Sequence, residues 1–156
     1  MTKREEQVAS LIHAAFSGVV LGKGVGMWQA RGLDDYAGAD TLVALREKDE
    51  KRDWSAINAA DLDRCNSSLS FFDAEGMRFH LPAYLIADVA GKLNCADILF
   101  HLVHLTEYGV SRFRELSATQ RNAVREFLLL RAATANDFTL PLIEKALSEY
   151  WTACEQ

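Results

Sequence analysis

The chain is 156 residues long, 49% hydrophobic and 25% charged, with 17 basic against 22 acidic side chains and a net charge of −5. That is enough chain to bury one core without disulfides or a metal, and it is too apolar and aromatic to stay disordered. The acid excess disfavours a phosphate backbone as ligand and favours a basic partner.

In chain order, Val8, Leu11, Ile12, Ala15, Phe16 and Val19 recur at helical spacing and predict a first amphipathic helix. It ends where Gly18, Gly22, Gly24 and Gly26 follow one another. Met27 to Tyr36 predicts a short helix closed near Gly38. Asp40 is placed to cap a further helix running into the stretch Arg46 to Asp53, which alternates charges of both signs and reads as a solvated helix end. Asn58 is an N-cap for a helix from Ala59 to Cys65.

Ser67 to Phe72 and Met77 to Leu81 read as extended, with Asp73-Ala74-Glu75-Gly76 as the turn between them. This predicts one small β-hairpin near residues 69–81. Pro82 then opens a helix over Ala83 to Ala90, closed by Gly91. A further helix is expected from about Asn94 to Tyr108. Ser117-Ala118-Thr119-Gln120 is a capping box ahead of a helix carrying Ala123, Val124, Phe127 and Leu128. The last helix is expected from about Leu140 to Cys154, with Pro141 in its first turn. The predicted fold is mainly α: a single-domain bundle of about six helices with one hairpin, spanning residues 1–156.

Gly22-Lys23-Gly24-Val25-Gly26 lacks the G-x-x-x-x-G-K-[ST] order and follows a helix rather than a strand, so it reads as a flexible connector. Asp97, His101 and His104 fall along one helix face, and carboxylate with imidazole suits zinc. H-E-x-x-H is absent, a fourth ligand is not evident, and a solvated polar face is the stronger reading. No metal or other cofactor is expected. Asp34 and Asp35, followed by Tyr36, would serve acid–base chemistry only if buried together. Arg112, Arg114, Arg121, Arg125 and Arg131 make a locally basic stretch that reads as pairing with the protein's own acids rather than as a nucleic-acid groove.

Cys65, Cys95 and Cys154 form an odd set without a C-x-x-C pair, which suits reduced thiols in a cytoplasm. The start Met1-Thr2-Lys3-Arg4-Glu5-Glu6 turns acidic where a signal peptide would turn apolar. No run approaches the ~18 apolar residues of a membrane span. A cytoplasmic protein without membrane contact is expected.

The segment Leu69 to Leu85 contains Phe72, Gly76, Arg78, Phe79, Leu81, Pro82, Ala83 and Tyr84 in the order F-x-x-x-G-x-R-F-x-L-P-A-Y. This resembles the signature of an uncharacterised bacterial family of unknown function. Leu33-Asp34-Asp35-Tyr36, Asp53-Trp54-Ser55-Ala56-Ile57 and the helix Gln120 to Leu128 resemble that family's other blocks, so the likeness runs from the first helix to about Leu130. His80 stands where the family often has tyrosine. The family carries no established activity, and the resemblance implies none. Read physically, the signature is a strand–turn–strand–helix corner in which Arg78 is a charge among apolar residues, placed to bridge to Asp34, Asp35 or Glu75.

Two functions follow from these residues. The leading one is a small acidic non-enzymatic protein-binding module with the character of a bacterial immunity protein, which would neutralise a basic toxin domain by laying carboxylates over its cationic surface. Asp61, Asp63, Asp73 and Glu75 are the contact acids it would use. The alternative is a metal-dependent enzyme or ligand-binding domain. It would use either the Asp97/His101/His104 face or a pocket of Asp34, Asp35, Arg78 and Tyr84. A homo-oligomer is compatible with both, since Trp28, Trp54 and Trp151 are candidates for surface aromatics.

Overall fold

A computed structural model of the protein describes residues 1–152. Thr2 caps α1 (Lys3–Ala15): its hydroxyl accepts from the Glu5 N–H while the Glu5 carboxylate accepts from the Thr2 N–H. That reciprocal pair satisfies donors which a helix start leaves open. The chain continues through α2 (Met27–Asp34), α3 (Ala39–Lys48) and α4 (Ala59–Arg64). Asn58 caps α4 as the spacing predicts, whereas α3 is capped by Gly38, and Asp40 lies inside its first turn. Then come α5 (Ala74–Val89), α6 (Ile98–Val103), α7 (Glu107–Ser111), α8 (Ala118–Ala132) and α9 (Thr139–Ala146), the last running on into a π turn over Leu147–Trp151. Short 3-10 turns occupy Trp54–Ala56 and Asn66–Ser70. Pro141 does sit in the first turn of α9. The far end of the expected last helix, with Cys154, lies outside the described residues.

No strand occurs among the described residues, and the hairpin expected near residues 69–81 is replaced by the second 3-10 turn and the first half of α5. The supposed turn Asp73 to Gly76 is a helix start, with the Asp73 carboxylate accepting from the Gly76 N–H at 2.8 Å. Pro82, expected in a first turn, lies in the middle of α5. The misreading has a physical cause. Twelve of the sixteen residues of α5 are buried, among them Phe79, His80 and Leu81 in succession. A helix apolar on all sides carries no 3.6-residue stripe, and periodicity alone does not separate it from buried strands.

This helix is the centre of the core. It packs against α1, the Trp54 turn, α4 and α6, while α8 lies along α1 and against α9. Two buried side chains close the carboxyl end of α1: the Trp54 indole N–H donates to the Phe16 carbonyl at 2.9 Å, and the Gln120 amide donates to Ala15 at 3.2 Å. The Trp151 indole N–H donates to the Leu102 carbonyl at 2.9 Å. Trp54 and Trp151 are therefore buried caps rather than surface aromatics, and Trp28 is half-buried. No helix among the described residues is long and apolar enough to cross a membrane.

The helix expected over Asn94 to Tyr108 is two. The Asp97 carboxylate accepts from the Phe100 N–H to start α6, and the Thr106 hydroxyl accepts from the Gly109 N–H to start α7. Side chains that bond their own backbone in this way favour helix starts over helix interiors.

Candidate functional site

The glycine-rich loop of residues 21–26 crosses the start of α5 at a distance that admits no side chain. A Cβ on Gly24 would stand 2.6 Å from the Gly76 nitrogen, and one on Gly76 would stand 2.5 Å from the Val25 carbonyl oxygen. Gly76, the glycine of the signature, is thus required by close approach of two backbones rather than by a turn with positive φ. Acids at the start of α5 hold the loop from one side. The Val25 N–H donates to Asp73 Oδ1 at 2.9 Å and the Lys23 N–H to Glu75 Oε2 at 3.2 Å. From the other side the Arg46 guanidinium donates to the Gly22 carbonyl at 2.8 Å and to the Gly24 carbonyl. The segment read as a flexible connector is pinned at both edges.

Asp49 completes this corner. Only 6% exposed, it accepts from the Trp28 N–H at 2.6 Å and the Gln29 N–H at 3.1 Å, capping α2 from the far end of α3. Burial pushes its carboxyl above the usual range, against the opposing pull of those amides and of Lys51 and Arg46. The run Arg46 to Asp53 is therefore not merely a solvated helix end.

What this corner holds out is the hairpin of α2 and α3. α3 buries no residue and packs chiefly on α2. At its tip Tyr36 is 96% exposed and takes a left-handed backbone with φ +56°, a conformation that costs a non-glycine residue ~1–2 kcal/mol. Leu33 and Val43 are also exposed. Asp34, Asp35 and Asp40 stand in the same stretch, and residues 33–41 contain no lysine or arginine. Behind the tip, Trp28 lies between Lys48 Nζ at 4.0 Å and the Arg31 guanidinium at 5.7 Å, beside an open cavity of about 350 Å³.

The four acids expected to meet a partner all make contacts within the chain. Asp61 pairs with Arg64 at 3.0 Å. Asp63 accepts from the N–H groups of Asn94, Cys95 and Ala96, and the Ala96 amide foremost holds its carboxyl below the usual range. Asp73 and Glu75 hold the glycine loop. The expected pocket of Asp34, Asp35, Arg78 and Tyr84 is not assembled: Asp34 and Asp35 are exposed at the hairpin tip, and no ion pair joins either of them, or Glu75, to Arg78 among the described residues. Tyr84 is fully buried, with its hydroxyl donating to the Cys65 carbonyl at 2.9 Å, and burial pushes its phenol well above the usual range.

Asp97, His101 and His104 do not share a helix face, because Asp97 caps α6 and His104 lies past its end. His104 rests on the Phe100 ring at 4.3 Å, and His101 is pushed down to about 4 by burial and by the charge of Arg112. Among the described residues no group of three histidine, cysteine or acidic side chains is arranged to hold a metal ion. In the basic stretch, Arg131 pairs with Asp88 at 2.8 Å, while Arg121 donates to the Tyr150 hydroxyl and stacks on its ring.

Sequence reasoning missed Asp49 as a buried cap and Tyr36 as an exposed aromatic. Nothing local marks Asp49, since its partners lie on another helix. Tyr36 carried a readable signal: it follows two aspartates and precedes Ala37-Gly38, a poor place to bury an aromatic ring.

A family model described as "Family of unknown function (DUF6714)" matches residues 4–155. No curated protein and no solved structure matches the chain.

Proposed function

We propose that this chain, which belongs to the family of unknown function DUF6714, is a protein-binding module that docks a basic partner through the tip of its α2–α3 hairpin. The observation that carries the reading is Tyr36, an aromatic ring left almost wholly in water on a strained backbone that a glycine-pinned corner holds outward. Tyrosine is among the residues that most often anchor interfaces, because it brings a large contact area at low conformational cost. Leu33 and Val43 extend the apolar area, and Asp34, Asp35 and Asp40 give it one sign of charge. Such a surface is complementary to a cationic one, and the charges would speed encounter more than they tighten the complex. A bacterial immunity protein works by this chemistry, masking the lysines and arginines with which a toxin domain grips its substrate. On this reading the contact acids are Asp34, Asp35 and Asp40 rather than Asp63, Asp73 and Glu75, whose carboxylates bind the amides of distant segments, or Asp61, which pairs locally with Arg64.

The test is capture of the partner from the source organism with tagged protein at low and at high salt. A basic polypeptide should be retained at low salt. It should be lost with Tyr36→Ala and with the double variant Asp34→Lys/Asp35→Lys, both keeping the wild-type circular dichroism. Truncation of a tyrosine anchor costs ~2 kcal/mol or more, about 30-fold in affinity. For the toxin reading, the captured polypeptide expressed alone should arrest growth, and wild-type protein but not Tyr36→Ala should relieve it. Retention of the same polypeptide by both variants would overturn the hairpin as the docking surface.

A further inference from the structure

Arg112 is 7% exposed, and burial lowers its pKa. Its Nη1 donates to the Leu69 carbonyl, closing the 3-10 turn that precedes α5, while its buried Nε–H has no acceptor among the described residues. No ion pair joins it to an acid among the described residues. A buried charge in a folded protein is ordinarily matched by an opposite one, because desolvation otherwise goes uncompensated. Arg112 is not sealed in the core, however. It lines a cleft of about 230 Å³ with Phe71, Asp73, Tyr108, Ser111 and Arg114. The rings of Phe71 and Tyr108 are exposed there, and Tyr108 lies 5.4 Å from the guanidinium. Arg114 at the rim makes a 4.0 Å contact with Glu115 and a bond to the Ser111 carbonyl.

We propose that this cleft binds a singly charged carboxylate carried on an aromatic body, with Arg112 as its buried counter-ion and Phe71 and Tyr108 as its walls. The chemistry selects the ligand. Arg112 donates through Nη1 to the Leu69 carbonyl, and the planar fork of a guanidinium matches the two oxygens of a carboxylate. Glu115 faces Arg114, and the Asp73 carboxylate accepts from the Val25 and Gly76 N–H groups, which leaves the single charge of Arg112 for a carboxylate to neutralise and a phosphate dianion to overshoot. The exposed rings favour a flat apolar body over acetate alone. The proposal stands apart from the hairpin and does not depend on its partner.

The experiment titrates the full chain, followed by NMR, with sodium benzoate, with N-acetyl-Gly-Gly-Phe as free acid and as amide, and with inorganic phosphate. Either carboxylate should shift the Arg112 Nε–H and Tyr108 ring signals saturably. It should also raise the His101 pKa from about 4, since the Arg112 charge that helps depress it would be answered. Arg114→Gln and Tyr108→Ala, both at exposed rim positions, should each weaken binding by ~5-fold or more. A peptide acid binding ~10-fold tighter than benzoate, with its amide inert, identifies a polypeptide carboxyl terminus as the source, whereas equal affinity identifies a small aromatic acid. Three results would overturn the proposal: no saturable shift with either carboxylate, phosphate binding as tightly as benzoate, or affinities unchanged in both rim variants.

Discussion

Asp49 and Arg112 are withdrawn from water to nearly the same degree, 6% and 7% exposed, yet the fold treats them in opposite ways. Asp49 receives two backbone N–H groups and lies within reach of the charges of Lys51 and Arg46, so its charge is answered from inside the molecule. Among the described residues Arg112 has one carbonyl, an idle Nε–H and no acid. A buried charge compensated by its own backbone holds the architecture together, as at the glycine corner. One left open beside a cleft marks a place where something from outside completes the set. His80 joins the two regions: its Nδ1 meets the Gly76 carbonyl at 2.7 Å and its ring stacks on Phe72 at 4.4 Å, while Nε2 is buried without a partner among the described residues.

The comparison breaks hardest at the glycine crossing. Gly24→Ala places a methyl group 2.6 Å from backbone that has no room to retreat, and should destabilise the protein by more than ~3 kcal/mol, read as a lower urea midpoint at unchanged slope. A loss below ~1 kcal/mol would mean that the corner is loose and does not hold the hairpin.

Acid tests the link between the regions. Burial pushes the His80 imidazole down to about 4, so the folded protein keeps it neutral while the unfolded chain takes up a proton near the ordinary value of 6.5. Stability contributed by the neutral ring is complete above pH 6.5 and is lost as pH falls from there toward 4, by about 2–3 kcal/mol. Urea midpoints measured across that window should fall steeply in wild type and less steeply in His80→Gln. His101, whose pKa is depressed in the same direction, contributes to the remaining slope, joined toward pH 4 by the carboxyls of Glu5, Glu50 and Asp63, which backbone amides hold below their usual range.

The smallest effect is the sharpest discriminator. Arg112→Met removes the bond to Leu69 but also an unanswered buried charge, and these should offset to within ~1 kcal/mol. A loss of several kcal/mol would make Arg112 as architectural as Asp49 and would erase the contrast.

Local signals read well. Asn58 ahead of α4 and the Ser117 to Gln120 box ahead of α8 are caps whose partners lie three residues on, and both are found as read. Asp73 is a cap of the same kind, but the residues after it are apolar without a stripe, a pattern that predicts a turn between strands instead. The predicted site fared according to reach. Asp63, Asp73 and Glu75 look available in a sequence because nothing there shows the amides of residues 23, 25 and 94–96 coming to meet them, whereas the partner of Asp61, Arg64, lies only three residues on. Asp97, His101 and His104 required one continuous helix, and two caps divide it.

By itself the sequence determined the mainly helical class, the acidic balance and the starts of α2, α4, α8 and α9, because these depend on composition and on contacts a few residues apart. Tertiary structure alone decided that Gly24 meets Gly76, that Asp49 caps α2 and that Arg112 is buried without an acid among the described residues. Each of these depends on which distant segment arrives beside the residue, and burial turns an ordinary side chain into a cap, an anchor or an unanswered charge by removing the water that would otherwise have satisfied it.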